Sequence, residues 1–125
     1  MKKIIVTKNA PEPIGPYSQA TQAGGFVFVS GQVAKDYVTG KIVTDGIQNE
    51  TKQVMQNVKN ILETAGSSLD KVVKTTIFLT NMDDFAKMNE VYGSFFTGNY
   101  PARETVQVSK LPLNVNVEIS VIAVS

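Results

Sequence analysis

The run Val72-Val73-Lys74-Thr75-Thr76-Ile77-Phe78-Leu79-Thr80 decides the fold. It is β-branched and apolar at both alternating positions, the composition of a strand inside a sheet rather than at its edge. Helical periodicity flanks it on both sides. Before it, Ile47, Thr51, Val54, Val58, Ile61, Leu62 and Ala65 recur at three- and four-residue steps, with Thr44 or Asp45 placed to cap the start and Gly66 to end the helix. After it, a second helix is expected over residues 83–96, capped by Asn81 or a neighbouring Asp, with Phe85, Met88, Val91, Tyr92, Phe95 and Phe96 as its stripe.

Towards the N-terminus, residues 2–7 read as a short strand that stops at Ala10-Pro11-Glu12-Pro13-Ile14-Gly15-Pro16, where proline forbids regular helix or central strand. Residues 17–22 and 26–30 read as a hairpin around Ala23-Gly24-Gly25, with Phe26 and Phe28 expected in the core. Residues 35–46 carry Thr39-Gly40 and Asp45-Gly46 turn signals and are expected to form an exposed loop or small ribbon. Residues 103–108 and 115–124 supply two last strands, parted by Leu111-Pro112-Leu113.

This order of elements is α+β: a six-stranded, mostly antiparallel sheet with two helices covering one face. The last strand sets Val115, Val117, Ile119 and Val121 against Asn116, Glu118, Ser120, Ile122 and Val124. Its second face is part apolar and part polar, the pattern of a sheet face buried against another subunit.

At 125 residues the expectation is one domain, residues 1–125, with a formal charge of +1 and 42% hydrophobic against 18% charged residues. The absence of Cys and His excludes disulfides, thiolate nucleophiles, Ser-His-Asp triads and ordinary zinc sites. No metal site is expected. Acid/base work falls to Asp, Glu, Lys and Tyr, and the one guanidinium is Arg103. With net charge near zero, a nucleic-acid partner is not expected. Nor is a membrane partner, since no apolar run approaches the roughly 20 residues of a spanning helix. Only Ile4-Ile5-Val6 follows Met1-Lys2-Lys3, short of the roughly 7 to 15 apolar residues of a signal peptide, so the expected compartment is the cytoplasm.

Three polar residues stand in unusual company. Asn89 falls on the apolar stripe of the second helix, where a buried amide is either a polar staple to neighbouring backbone or a group lining a pocket. Glu118 sits mid-strand between Val117 and Ile119, either as an exposed edge carboxylate or as one kept for chemistry. Arg103 heads a strand read as the neighbour of that of Glu118. A guanidinium grips a carboxylate in a fork that lysine cannot imitate, so Arg103 points to planar anion recognition or to a plain salt bridge with Glu118.

Six blocks carry a family resemblance: residues 14–20 (Ile14-Gly15-Pro16-Tyr17-Ser18-Gln19-Ala20), Val29-Ser30-Gly31-Gln32, residues 73–79, residues 85–92 (Phe85-Ala86-Lys87-Met88-Asn89-Glu90-Val91-Tyr92), Pro101-Ala102-Arg103, and Leu111-Pro112 followed by Val117-Glu118-Ile119. In order and over nearly the whole chain they closely resemble the RidA/YjgF reactive intermediate deaminase family. The resemblance implies a chorismate-mutase-like fold and a homotrimer with a central barrel and ligand clefts between subunits. It implies hydrolysis of enamine and imine intermediates such as 2-aminoacrylate, 2-iminopropanoate and 2-iminobutanoate to 2-keto acids and ammonia, without a cofactor.

Carried over position by position, the resemblance implies that Arg103 binds the substrate carboxylate, helped by the Thr105 backbone N–H, and that Glu118 positions the attacking water. Tyr17 would bond near the imine, while Ser30, the Gly31 backbone and Asn89 line or order the cleft. Thr105 stands where many members carry Cys, which removes thiol chemistry there but keeps the backbone N–H. Glu104 replaces a small residue and, by strand alternation, should point away from the Arg103 side chain.

Two other functions compete. A keto-acid sensor or regulatory protein would use the same cleft without turnover, since fold does not fix function. Ribonuclease activity, attributed to some members, fits poorly with one Arg, no His and no basic run.

Overall fold

The computed structural model describes residues 1–125. Eight regular elements follow in order: β1 (Lys3–Ile5), β2 (Ala20–Ala23), β3 (Phe26–Gln32), α1 (Ile47–Thr64), β4 (Val72–Leu79), α2 (Phe85–Ser94), β5 (Ala102–Gln107) and β6 (Val117–Val124). The strands form one sheet in the order β1-β2-β3-β6-β4-β5. Only β4 and β5, joined through α2, run parallel; every other pairing is antiparallel. The expected α+β architecture is therefore the one observed, with β4 between β6 and β5 as its composition requires.

Alternation along each strand separates two unlike faces. Towards the helices, Val27, Val29, Thr75, Ile77, Leu79, Val117, Ile119 and Val121 are buried. Helix α1 returns its stripe onto this face, with Val54, Met55, Val58, Ile61 and Leu62 wholly buried. Each such side chain contributes about 1.5–3 kcal/mol by leaving water. Helix α2 packs beside α1 through Met88 and Tyr92, and the Tyr92 hydroxyl donates to Thr75 Oγ1 at 2.9 Å. The opposite face carries Phe28, Ile122, Phe78, Val106, Ser120 and Glu118 and no helix.

Phe26 and Phe28 are not core residues. Both lie on the helix-free face, at 41% and 43% exposure, while the smaller Val27 and Val29 between them point inward. Aromatic size does not choose a face; register does, and β3 pairs Phe28 with Ile122 on the uncovered side.

Several ends also differ from expectation. Strand β2 starts at Ala20 because the buried Gln19 is diverted to the connector: its Nε2 donates to the carbonyls of Thr7, Ala10 and Pro11, and its Oε1 accepts from Thr7 N–H. Helix α1 is preceded by Gly46 at φ 112°, with no side-chain cap, and Asp45 bonds the Asn49 side chain instead. Helix α2 is shorter than its stripe. A 3₁₀ turn over Met82–Asp84, capped by Asn81 Oδ1 accepting from Asp83 N–H, takes up its first turn. Residues 35–46 form the small ribbon, closed by a bridge between Lys35 and Ile42.

Candidate functional site

The predicted residues gather into two groups on opposite faces of the sheet. The parallel register pairs Arg103 with Thr75, which faces the helices, so the guanidinium lies beneath α2. Its Nη1 donates to Asn89 Oδ1 at 2.7 Å. The carbon between its nitrogens lies 5.6 Å from the Phe85 ring centre and 5.1 Å from that of Tyr92. Two electron-rich ring faces and one amide oxygen thus hold a half-buried cation, leaving the remaining guanidinium donors for a planar anion. Asn89 serves as an anchor on Arg103 rather than as a staple to the backbone. Thr105, two residues on, shares the same face, and its buried Oγ1 has no hydrogen-bond partner. Burial raises the Tyr92 phenol above its ordinary pKa, opposed by the Thr75 hydrogen bond and the Arg103 charge, so this ring stays protonated at neutral pH.

Glu118 stands on the other face, paired with Phe78 across β4. Strand β4 separates β5 from β6, so the strand of Arg103 is not the neighbour of the strand of Glu118. That corrects the expected adjacency and removes the intramolecular Arg103–Glu118 salt bridge from consideration. The ion pair present is instead Lys74–Glu104, at 2.8 Å. Glu104 also accepts from the Thr76 hydroxyl and points away from Arg103 as alternation requires; Lys74 and Thr76 together hold its carboxyl below the ordinary range.

Around Glu118 the chain is bent to fit. The β3–β6 register slips between Val29 and Gln32, placing one extra residue of β3, a β-bulge, beside the carboxylate. Ser30 and Gly31 form that bulge. Ser30 Oγ donates to the Ser18 carbonyl at 2.6 Å, and Ser30 N–H donates to the Gln19 carbonyl at 3.0 Å. Past the bulge, Asn57 of α1 donates to the carbonyls of Val33 and Lys35 and fixes the exit of β3. The start of β6 is held by Glu50, which accepts from the Asn116 backbone and side chain.

A cavity of about 340 Å³ opens beside Glu118, with Tyr17, Ser30 and Gly31 on its lining. Tyr17 Oη accepts from Ile14 N–H at 3.2 Å, which leaves its own proton free to donate. Burial raises the Glu118 carboxyl above its ordinary pKa, so it holds a proton more readily than a carboxylate in water.

Four features of this site were not read from the sequence: the Phe85 and Tyr92 rings on Arg103, the bulge, and the cavity wall made by Ile14, Val33 and Leu113. The signals existed. Phe85, Asn89 and Tyr92 are spaced four and three residues apart on one helix face, and a glycine inside a strand commonly marks a bulge.

The α+β sheet thus carries a caged guanidinium on one face and a desolvated carboxylate on the other. The chain belongs to the family described as endoribonuclease L-PSP, the RidA/YjgF family, whose profile matches residues 7–125. It is 54% identical over 123 residues to a RutC family protein of Pyrococcus horikoshii, covering 98% of each chain. It is 45% identical over 124 residues to the 2-iminobutanoate/2-iminopropanoate deaminase of Mus musculus, covering 99% of this chain and 92% of the relative. Among solved structures, the Rid family protein YyfA of Yersinia pestis superposes with a TM-score of 0.97 at 46% identity over the whole of both chains. Escherichia coli TdcF with bound serine superposes with a TM-score of 0.95 at 44% identity, over 98% of each.

Proposed function

We propose that the protein hydrolyses 2-imino acids and their enamine tautomers, such as 2-aminoacrylate, 2-iminopropanoate and 2-iminobutanoate, to 2-keto acids and ammonia. The observation that carries this reading is the pair of half-sites on opposite sheet faces: an anion-binding half at Arg103 and a proton-transfer half at Glu118. The protein is a homotrimer in which the Arg103 half of one protomer meets the Glu118 half of the next. The exposed Phe28, Val106 and Val124 on the helix-free face support that assembly.

In the joined cleft the substrate carboxylate lies across the Arg103 guanidinium, assisted by the Thr105 backbone N–H. Asn89, Phe85 and Tyr92 fix the angle of the fork. The imine carbon is thereby set before a water held by Glu118. Glu118 accepts a proton as the water oxygen bonds to that carbon, the C=N electron pair moves to nitrogen beside Tyr17 and Ser30, and Glu118 passes that proton to the nitrogen. Glu118 then takes the remaining hydroxyl proton as the C=O bond forms and delivers it to nitrogen as the C–N bond breaks and ammonia leaves. Positioning and general acid/base help of roughly 10²–10⁴-fold are sufficient, because such imines already decay in water. No cofactor enters any step.

Release of ammonia and keto acid from enzymatically generated 2-iminobutanoate tests the reading. Wild type should accelerate it, while Arg103→Ala and Glu118→Gln should not. Binding of 2-ketobutyrate without any acceleration would make the protein a sensor instead.

A further inference from the structure

The cavity beside Glu118 has a chemical bias that catalysis does not explain. Ile14, Tyr17, Val33 and Leu113 form an apolar wall, and Glu118 is its one charged residue. Leu113 occupies that wall under conditions unusual for leucine. Its backbone lies at φ 61° and ψ 16°, and Asn114 follows at φ 54°, both in the left-handed region. Asn visits this region readily, whereas a leucine there is disfavoured by its Cβ. Nor does burial account for it, since Leu113 is 47% exposed. The turn is nonetheless held on both sides: Asn114 N–H donates to the Leu111 carbonyl at 3.2 Å, and Glu50 grips Asn116 just beyond. Strain maintained at a cavity lining is a mark of function.

The position of the wall gives that function a direction, on the deaminase reading above. An imine carbon bears a nitrogen, a carboxylate and an alkyl group. With the carboxylate at Arg103 and the attacking water at Glu118, the alkyl group is the substituent left to meet the surface around Glu118. That surface offers methyl groups and an aromatic ring, and no cation to receive an acidic side chain.

We propose that Leu113 is a specificity-determining residue of the cleft, selecting imino acids with branched aliphatic side chains over those with acidic ones. A carboxylate on the substrate side chain would lie unpaired beside Glu118, whereas an isobutyl group would cover the Leu113 and Ile14 side chains. A cavity of about 340 Å³ has room for it.

The test compares wild type with Leu113→Asn on three imines made in place by an amino-acid oxidase: those derived from alanine, leucine and glutamate. Asparagine keeps the left-handed backbone and removes the apolar wall, and a thermal melt of the variant checks that the fold is retained. Wild type should process the leucine-derived imine at least as well as the alanine-derived one, and the glutamate-derived imine about 100-fold less well. Leu113→Asn should lower the leucine-to-alanine ratio of kcat/KM about tenfold. An equal effect on all three substrates would reduce Leu113 to a structural residue and overturn the inference while leaving the deaminase reading intact. Failure of wild type to accelerate even the alanine-derived imine would overturn both.

Discussion

Gly31 and Glu118 stand so close that no side chain fits between them: a Cβ on Gly31 would lie 2.6 Å from Glu118 Oε2 and 2.7 Å from its Cδ. The backbone of the bulge is thus the wall against which the carboxylate rests. The obstructing atoms are the far end of a flexible side chain, so the fold can absorb an added methyl by swinging the carboxylate aside. Gly31→Ala should therefore lose activity on the order of 10²-fold, the contribution of a well-placed general base. Its melting temperature should move by no more than about 4 °C, roughly 1 kcal/mol for a domain of this size. Steady-state rates and a melt on the same preparation check both halves, and a fully active variant would show that the close approach does not set the carboxylate position.

The Arg103 cage makes a graded prediction. Arg103→Lys keeps the charge but loses the fork, and Asn89→Ala frees Nη1 while leaving both rings in place. Hydrogen bonds to charged groups are worth about 1.5–3 kcal/mol, or roughly 10- to 100-fold. Arg103→Lys should fall at the upper end of that range in kcat/KM and Asn89→Ala at the lower, with KM rising more than kcat falls in the alanine variant. Equal effects from both substitutions would contradict the assignment of Asn89 as an anchor.

Tyr92→Phe separates stability from recognition. The ring that covers Arg103 remains, but Thr75 Oγ1, wholly buried, loses its only partner. An unsatisfied buried hydroxyl costs about 1–3 kcal/mol, which should appear as a lower denaturant midpoint with kcat/KM little changed. Stability equal to wild type would mean that Thr75 finds another partner.

Burial of Glu118 predicts two pH dependences with opposite signs. As the base, Glu118 must be ionised, so activity should fall on acidification with a midpoint above the ordinary value of 4.5. For stability the raised carboxyl favours the protonated form in the fold, so its contribution is complete below pH 4.5 and is lost as pH rises through the folded value. Glu118→Gln should accordingly be more stable than wild type at pH 7, with the gap closing below pH 4.5. Melts of both proteins across this range read the difference directly, and a gap that widened on acidification would contradict the cause assigned to the shift.

Much of this arrangement is legible in the chain because its periodicities are strong. The α1 stripe and the valines of β6 recur without interruption, so helix, strand and buried face follow from spacing alone. Phe26 and Phe28 show where that reading stops. Alternation separates the faces of a strand but does not say which one the helices cover, and here the aromatic face is the uncovered one. The placement of Arg103 and Glu118 is illegible for a related reason. Residues 103–108 and 115–124 are consecutive strands in sequence, yet the parallel crossover through α2 puts β4 between them, and pairing order is a long-range property. Leu113 is indistinguishable from a plain connector residue in the sequence, because nothing in Leu111-Pro112-Leu113 announces a left-handed leucine.

The proposed shared cleft needs Arg103 from one protomer and Glu118 from another, a requirement that mixing two dead proteins probes. Arg103→Ala and Glu118→Gln, each inactive alone, are unfolded together in equal amounts, refolded and assayed, with native mass spectrometry confirming mixed assemblies. Random association of a ring should rebuild about a quarter of the sites with both groups intact, and so about a quarter of wild-type activity. Mixed trimers as inactive as their components would place both groups in a single protomer's site and rule out the shared cleft.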